Sequence, residues 1–271
     1  MPLIRCALPT VVLVLLALPA AWAETPDRSA TQWLEASAEQ MTAKSAAVDL
    51  TLTRTRTGGE RVVKLETRMS RREAGIVKTW ILQLAPEVQA GSQFLTLVRD
   101  GQEEEQYQLL PVMGTVSRIK PSENFSLFGT DFQIRDISVA DPDVGSHMVL
   151  KTDAVMVGGT SYPVTVVQST YEAGKHRKVL RYLDDDKKLP LKVEYFDKSD
   201  KMVKRLTVRE VAQVGGVPMA MKSRMESLGK DTYTDLVVDK AEFNLSEEAL
   251  PESTFTKEHL VRVGQGYADD D

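Results

Sequence analysis

The chain has 271 residues, 42% of them hydrophobic and only 6% aromatic, with 34 basic against 39 acidic side chains and a net charge of −5. An acidic balance argues against a general nucleic-acid binder, and the length suffices for a sizeable core. A single cysteine excludes an intramolecular disulfide framework.

The first 23 residues read as an export signal: Arg5 is a short positive region, Val11 to Leu18 is apolar, and Ala21-Trp22-Ala23 is an A-x-A cleavage site. A retained membrane anchor fits less well, because the apolar stretch Ala7 to Ala21 contains two prolines and falls short of the roughly 20 apolar residues of a spanning helix. Cys6 precedes the apolar region, where a lipid-modified cysteine would have to follow it. Cleavage after Ala23 takes 23 residues from 271 and leaves 248, starting at Glu24 and without cysteine; loss of Arg5 moves the net charge from −5 to −6. Nine methionines remain, a residue suited to adaptable apolar surfaces.

After the leader, Ser29 or Thr31 is placed to cap a helix in which Leu34, Ala38 and Met41 recur at i, i+4, i+7 beside Trp33. From there the pattern has period two. Val63, Leu65 and Met69 oppose Lys64, Glu66 and Arg68, and the alternation recurs at Trp80, Leu82, Leu84, at Tyr162, Val164, Val166, at Leu191, Val193, Tyr195, and at Met219, Met221, Met225. Gly58-Gly59, Asp100-Gly101, Gly158-Gly159 and Gly215-Gly216 mark hairpins between them. The expected fold is mainly β: about eleven strands in a large curved antiparallel sheet, an unclosed half-barrel with an N-terminal helix and a loop or helix lid over an apolar cavity. One domain is expected over 24–263, with 264–271 a flexible acidic tail.

The segment Tyr107 to Ile137 interrupts the alternation. After Leu109, Leu110, Val112, Met113, Val116 and Ile119 it places Phe125, Phe128 and Phe132 within eight residues, among Ser, Gly, Thr and Asp. Two readings stand: the three rings plug one end of the barrel, or they line and gate a cavity, with Gly129 and the turn-forming Pro121 to Asn124 permitting movement. Asp131 and Asp136 are expected to cap local backbone donors or to pair with Arg118 or Arg135.

Catalytic patterns are missing from the sequence. His147, His176 and His259 lack metal-ligand spacing, and no nucleophile elbow, Walker loop or dinucleotide fingerprint occurs. The acidic runs Glu103 to Glu105 and Asp184 to Asp186 sit at expected turns without calcium-loop spacing. The chain is expected to be no enzyme and to use neither metal nor cofactor.

The leader, the first helix, LLPVMGTVSRIK followed by FSLFGTDFQIRDI, the later RYLDDDKKLPLKVEYFDKSDKMVKRLTVREV and the closing LPESTFTKEHL together resemble the outer-membrane lipoprotein-sorting protein family, in its LolA-like branch. Arg118-Ile119, Phe128-Gly129-Thr130-Asp131-Phe132 and Asp136-Ile137 occupy the places of that branch's central motif. The resemblance implies the LolA/LolB-like fold and a periplasmic carrier, in a Gram-negative envelope, that shields the acyl chains of a lipoprotein or lipid in transit between inner and outer membrane. Implied partners are those acyl chains, an inner-membrane RND-type transporter and an outer-membrane acceptor, with no nucleic acid. The alternative is an envelope-stress sensor resembling RseB. Candidate cavity or rim residues are Trp33, Leu34, Met41, Trp80, Phe125, Phe128, Phe132, Met219 and Met221. The founding carrier has an arginine followed by proline in an early strand region; the nearest residues here, Arg71 and Arg72, have no proline beside them, and that role is not carried over.

Overall fold

The computed structural model describes residues 29–120, 126–137, 145–172 and 176–268; the leader and Phe125 lie outside them. Helix α1 (Ala30–Thr42) is followed by β1 (Ser45–Arg56), β2 (Gly59–Ser70), β3 (Ile76–Ala85), β4 (Gln93–Arg99), β5 (Glu105–Leu109) and β6 (Val116–Ile119). After the short α2 (Ile134–Ile137) come β7 (Ser146–Val157), β8 (Thr160–Thr170), β9 (Lys178–Asp184), β10 (Pro190–Phe196), β11 (Met202–Val214), β12 (Val217–Ser227), β13 (Thr232–Phe243) and α3 (Lys257–Ala268).

All thirteen strands form one sheet, in the order β6-β5-β4-β3-β2-β1-β13-β12-β11-β10-β9-β8-β7. The expectation of about eleven is two short, because β5 and β6, of five and four residues, fall in a segment whose alternation is too brief to count. Two antiparallel meanders meet where β1 pairs with β13. β6 and β7 therefore lie at opposite edges. The described part of the connection between them, 126–137, packs on the concave side.

Register builds that side. Leu50 lies opposite Leu65 and Val238, Leu52 opposite Val63 and Leu236, and Ile81 opposite Phe94. These residues, with Val48, Met69 and Met225, form a continuous buried core into which Leu127, Phe132 and Ile134 of the crossing segment pack. The curl also brings β7 against β10 and β11.

The other face of β3, β4 and β5 is buried as well. Trp80, Leu95 and Tyr107 form a cross-strand row beside Leu82 and Leu109, and α3 covers them with Leu260 while Leu250 and Phe255 pack alongside. Trp80 Nε1 donates to Gln93 Oε1 (2.9 Å), and Gln93 Nε2 donates to the Leu260 carbonyl (2.9 Å), tying sheet to helix. This corrects two expectations. Trp80 packs away from the concave side, since Thr79 to Gln83 are all buried and a strand covered on both faces hides which side is the cavity. Residues 264–268 are not a flexible tail: they continue α3, where Gly264 is buried with Leu109 so close that a Cβ would stand 2.7 Å from Leu109 Cδ2.

Ser29 caps α1: its hydroxyl accepts from Gln32 N (3.3 Å), and the Gln32 side chain accepts from Ser29 N (3.1 Å), a capping box. The buried stripe is Ala30, Trp33, Ser37 and Ala38, with Leu34 half-buried beside it. α1 reaches from β7 and β8 to β12.

Candidate functional site

A cavity of about 170 Å³ lies between the concave sheet and the crossing segment. Val48, Leu50 and Met69 line it from β1 and β2, Leu206 and Met219 from β11 and β12, and Phe132 from the segment itself. Its polar lining includes Thr67, Asp136 and Ser223. The Thr67 hydroxyl is buried and has no hydrogen-bond partner among the described residues, so an unsatisfied polar group of the wall faces an otherwise greasy hollow.

The lid is the stretch from Ser126 to Ile137. Leu127 and Phe132 are almost wholly buried in the concave core. Between them the chain turns through Phe128 (φ 47°, ψ 39°) and Gly129 (φ 76°), two successive residues in the left-handed region; that conformation is unfavourable for a bulky side chain. The turn throws the Phe128 ring against Phe94, with centroids 5.1 Å apart at 45°.

Two carboxylates pin this lid to the sheet. Asp131 accepts hydrogen bonds from the hydroxyls of Ser227 (2.7 Å), Thr232 (2.7 Å) and Thr234 (2.9 Å), and its own N–H donates to Thr234 Oγ1 (3.0 Å). Arg54 Nε stands 3.5 Å from the same carboxylate. Asp136 accepts from Tyr195 OH (2.8 Å) and from Gln133 N (2.7 Å), and forms an ion pair with Lys204 in which both side chains are about 95% buried. Burial first, and then the Asp136 charge, push the Tyr195 hydroxyl well above its ordinary pKa, so it stays a neutral donor at any physiological pH. Asp136 thus caps a local donor as expected, but neither aspartate takes Arg118 as its partner.

Of the nine candidate residues, Phe132 and Met219 line the cavity, and Met221 and Phe128 pack at the edge of the same core. Trp33 sits with Val167 and Leu183 under the Lys188 ammonium, 4.1 Å from its ring centroid, and Leu34 packs against that group. The Met41 side chain and Phe125 lie outside the described residues, and Trp80 belongs to the outer cluster. The pinning residues Thr232, Thr234, Ser227 and Lys204 were missed; only the i, i+2 spacing of Thr232 and Thr234 hints that those two share a face. Arg72 also works outside the cavity, donating to the carbonyls of Leu250 (2.6 Å) and Ser246 (2.9 Å) ahead of α3.

The lid separates the cavity from two further hollows. One, of about 510 Å³, is lined by Arg54, Asp131, Phe132, Lys204 and Lys230; the other, of about 410 Å³, by Arg61, Val88, Phe94, Val112 and Phe128. Among the described residues no cluster of three or more His, Cys, Asp or Glu is placed to hold a metal, and no helix is long and apolar enough to cross a membrane.

A family model described as that of an uncharacterized protein matches residues 75–262, well over half of the chain. The chain belongs to the family that this model describes. No curated protein matches it significantly by sequence. Its fold is similar to that of a putative outer membrane lipoprotein-sorting protein domain from Vibrio parahaemolyticus (TM-score 0.76, 19% identity, 86% of this chain and 98% of that one). It is likewise similar to a DUF1329 family protein from Desulfovibrio piger ATCC 29098 (0.73, 17%, 84% and 98%) and to a LolA superfamily protein from Nitrosomonas europaea (0.64, 16%, 86% and 99%). Asp131 and Asp136, the two aspartates in the segment that resembles the LolA-like central motif, are the two pins of the lid.

Proposed function

We propose that the protein is a periplasmic, non-enzymatic carrier that shields the acyl chains of a lipid or lipoprotein inside its half-barrel. The observation that carries this reading is an apolar hollow on the concave face, closed by a lid whose attachments are polar. The likeness of the fold to that of a putative lipoprotein-sorting protein domain supports it.

The physical need is large. Sheltering the fifteen or so methylenes of a long acyl chain is worth about 12 kcal/mol at roughly 0.8 kcal/mol each. A cavity near 170 Å³ matches a benzene-sized guest, so such a chain enters only as the lid withdraws Phe132 and Leu127. The carboxylate pins then exchange their protein partners for water, a milder loss than leaving apolar surface bare.

Delipidated protein should take up a fluorescent fatty acid or a lipopeptide at about one site per chain, and native mass spectrometry should find lipid on protein purified from the periplasm. Failure of both ends the carrier reading. Lipid analysis of the same material separates lipoprotein delivery from hand-over to an RND-type transporter. Capture of an anti-sigma factor in place of a transporter would point instead to the sensor.

A further inference from the structure

The concave face changes character along its strands. The inner positions Leu52 and Leu236, paired across β1 and β13, and Met225 and Leu206, paired across β12 and β11, are apolar. The next alternate position on each strand is polar: Arg54 pairs with Thr234, Thr232 with Ser227, Ser227 with Lys204, and Lys204 with Tyr195. This polar row opens into the groove of about 510 Å³ that adjoins the cavity across one side chain, Phe132, which lines both.

The charges of that groove run against those of the chain. In a protein of net charge −5, its described lining carries Arg54, Lys204 and Lys230 against the single carboxylate of Asp131. Asp131 is held by three hydroxyls and forms an ion pair with Arg54 Nε at 3.5 Å, where Nε makes no hydrogen bond among the described residues. Lys230 is exposed at the β12–β13 turn. Lys204 serves the lid through Asp136 and Arg54 meets the lid at Nε through Asp131, which leaves Lys230 and the outer guanidinium nitrogens of Arg54 for an anion from outside.

We infer that this groove is a subsite for the anionic head group of the carried molecule, a phosphate ester whose acyl chain lies in the cavity on the other side of Phe132. The inference rests on the carrier reading and adds the head-group chemistry to it. Arg54 and Lys230 hold the phosphate oxygens through charge-assisted hydrogen bonds, and the groove, many times the roughly 30 Å³ share of one water, has room for substituents on the phosphate.

Delipidated protein is titrated calorimetrically with decyl phosphate, 1-decanol and inorganic phosphate at low salt, where charge is least screened. Decyl phosphate should bind at least about tenfold more tightly than decanol, as one good charged contact provides. The Arg54→Gln/Lys230→Gln variant should lose most of that preference, read as the ratio of the two affinities within the variant, so that a change in the lid common to both ligands cancels. Lys230→Gln alone, at an exposed turn, should lose part of it, and serves if the double variant melts early. Equal affinity of the native protein for decyl phosphate and decanol overturns the subsite and leaves the carrier reading intact. Inorganic phosphate binding as tightly as decyl phosphate overturns it too, showing a free-anion site. No binding of decanol in any variant overturns the carrier reading itself, and the subsite with it.

Discussion

Replacing Asp136 by Asn tests whether the lid is a gate. The substitution keeps shape and removes charge, stranding the Lys204 ammonium in a site where it is about 6% exposed. It also weakens the bonds from Tyr195 OH and Gln133 N. Removing one partner of a buried ion pair costs about 3–5 kcal/mol, and that cost falls on the closed lid, because an open lid hydrates Lys204. At about 3 kcal/mol the melting temperature should drop by roughly 6–12 °C for a chain of this size. The same 3 kcal/mol shifts the closed-to-open ratio about 150-fold. If acyl chains bind only the open form, and that form is rare in the native protein, apparent affinity for a fluorescent fatty acid should rise by up to about a hundredfold, with faster uptake in stopped-flow mixing. Pairing the change with Lys204→Met should restore stability, since an apolar side chain tolerates that burial. A variant that melts earlier yet takes up the probe at the native rate and affinity would show that the Asp136–Lys204 pair stabilises the fold without gating the cavity.

Trp80→Ala should lower stability by about 3–5 kcal/mol in urea unfolding and leave fatty-acid affinity unchanged, because the ring packs under α3 on the outer face. Met219→Trp, which fills the cavity wall, should reduce probe binding at least tenfold with a stability change within about 1–3 kcal/mol. His259 packs edge-on against Trp80 at 5.0 Å, and desolvation, helped by Arg262, holds its pKa below the ordinary value. Its unfolded state therefore binds more protons, so its contribution to stability is complete above about pH 6.5 and falls away as pH drops toward the depressed folded value. Chemical denaturation across that window should show a slope that His259→Gln flattens; an unaltered slope would refute the assignment.

Period-two alternation was enough to recognise the one-sided strands, as Val63, Leu65 and Met69 show, all buried on the concave face. It failed at Trp80, because burial on both faces makes Thr79 to Gln83 a continuous run in which alternation no longer marks a side. Gly264 misled for a different reason. Glycine near a chain end reads as mobility, but here its missing side chain admits Leu109. In the lid, the plug and the cavity wall are both present: Leu127 and Phe132 are core by burial, while Phe132 also lines the cavity. The pins were the least legible feature. Asp131 meets residues about a hundred positions away, and such pairings leave no local pattern.

The sheet topology gives a reason for a lid in this position. Two meanders joined at β1 and β13 put β6 and β7 at opposite edges, and the described part of the link between them, 126–137, packs on the concave face. A wholly apolar link would bury itself there permanently and fill the hollow with its own side chains. This one is divided: Leu127, Phe132 and Ile134 face the core, while Asp131 and Asp136 reach the polar row beyond it. On the proposed carrier reading, when the lid opens, an acyl chain takes the place of its apolar side chains against the sheet, and water takes the place of the sheet's groups around its carboxylates. An opening compensated on both its apolar and its polar side is reversible, which a carrier needs on loading and again on release.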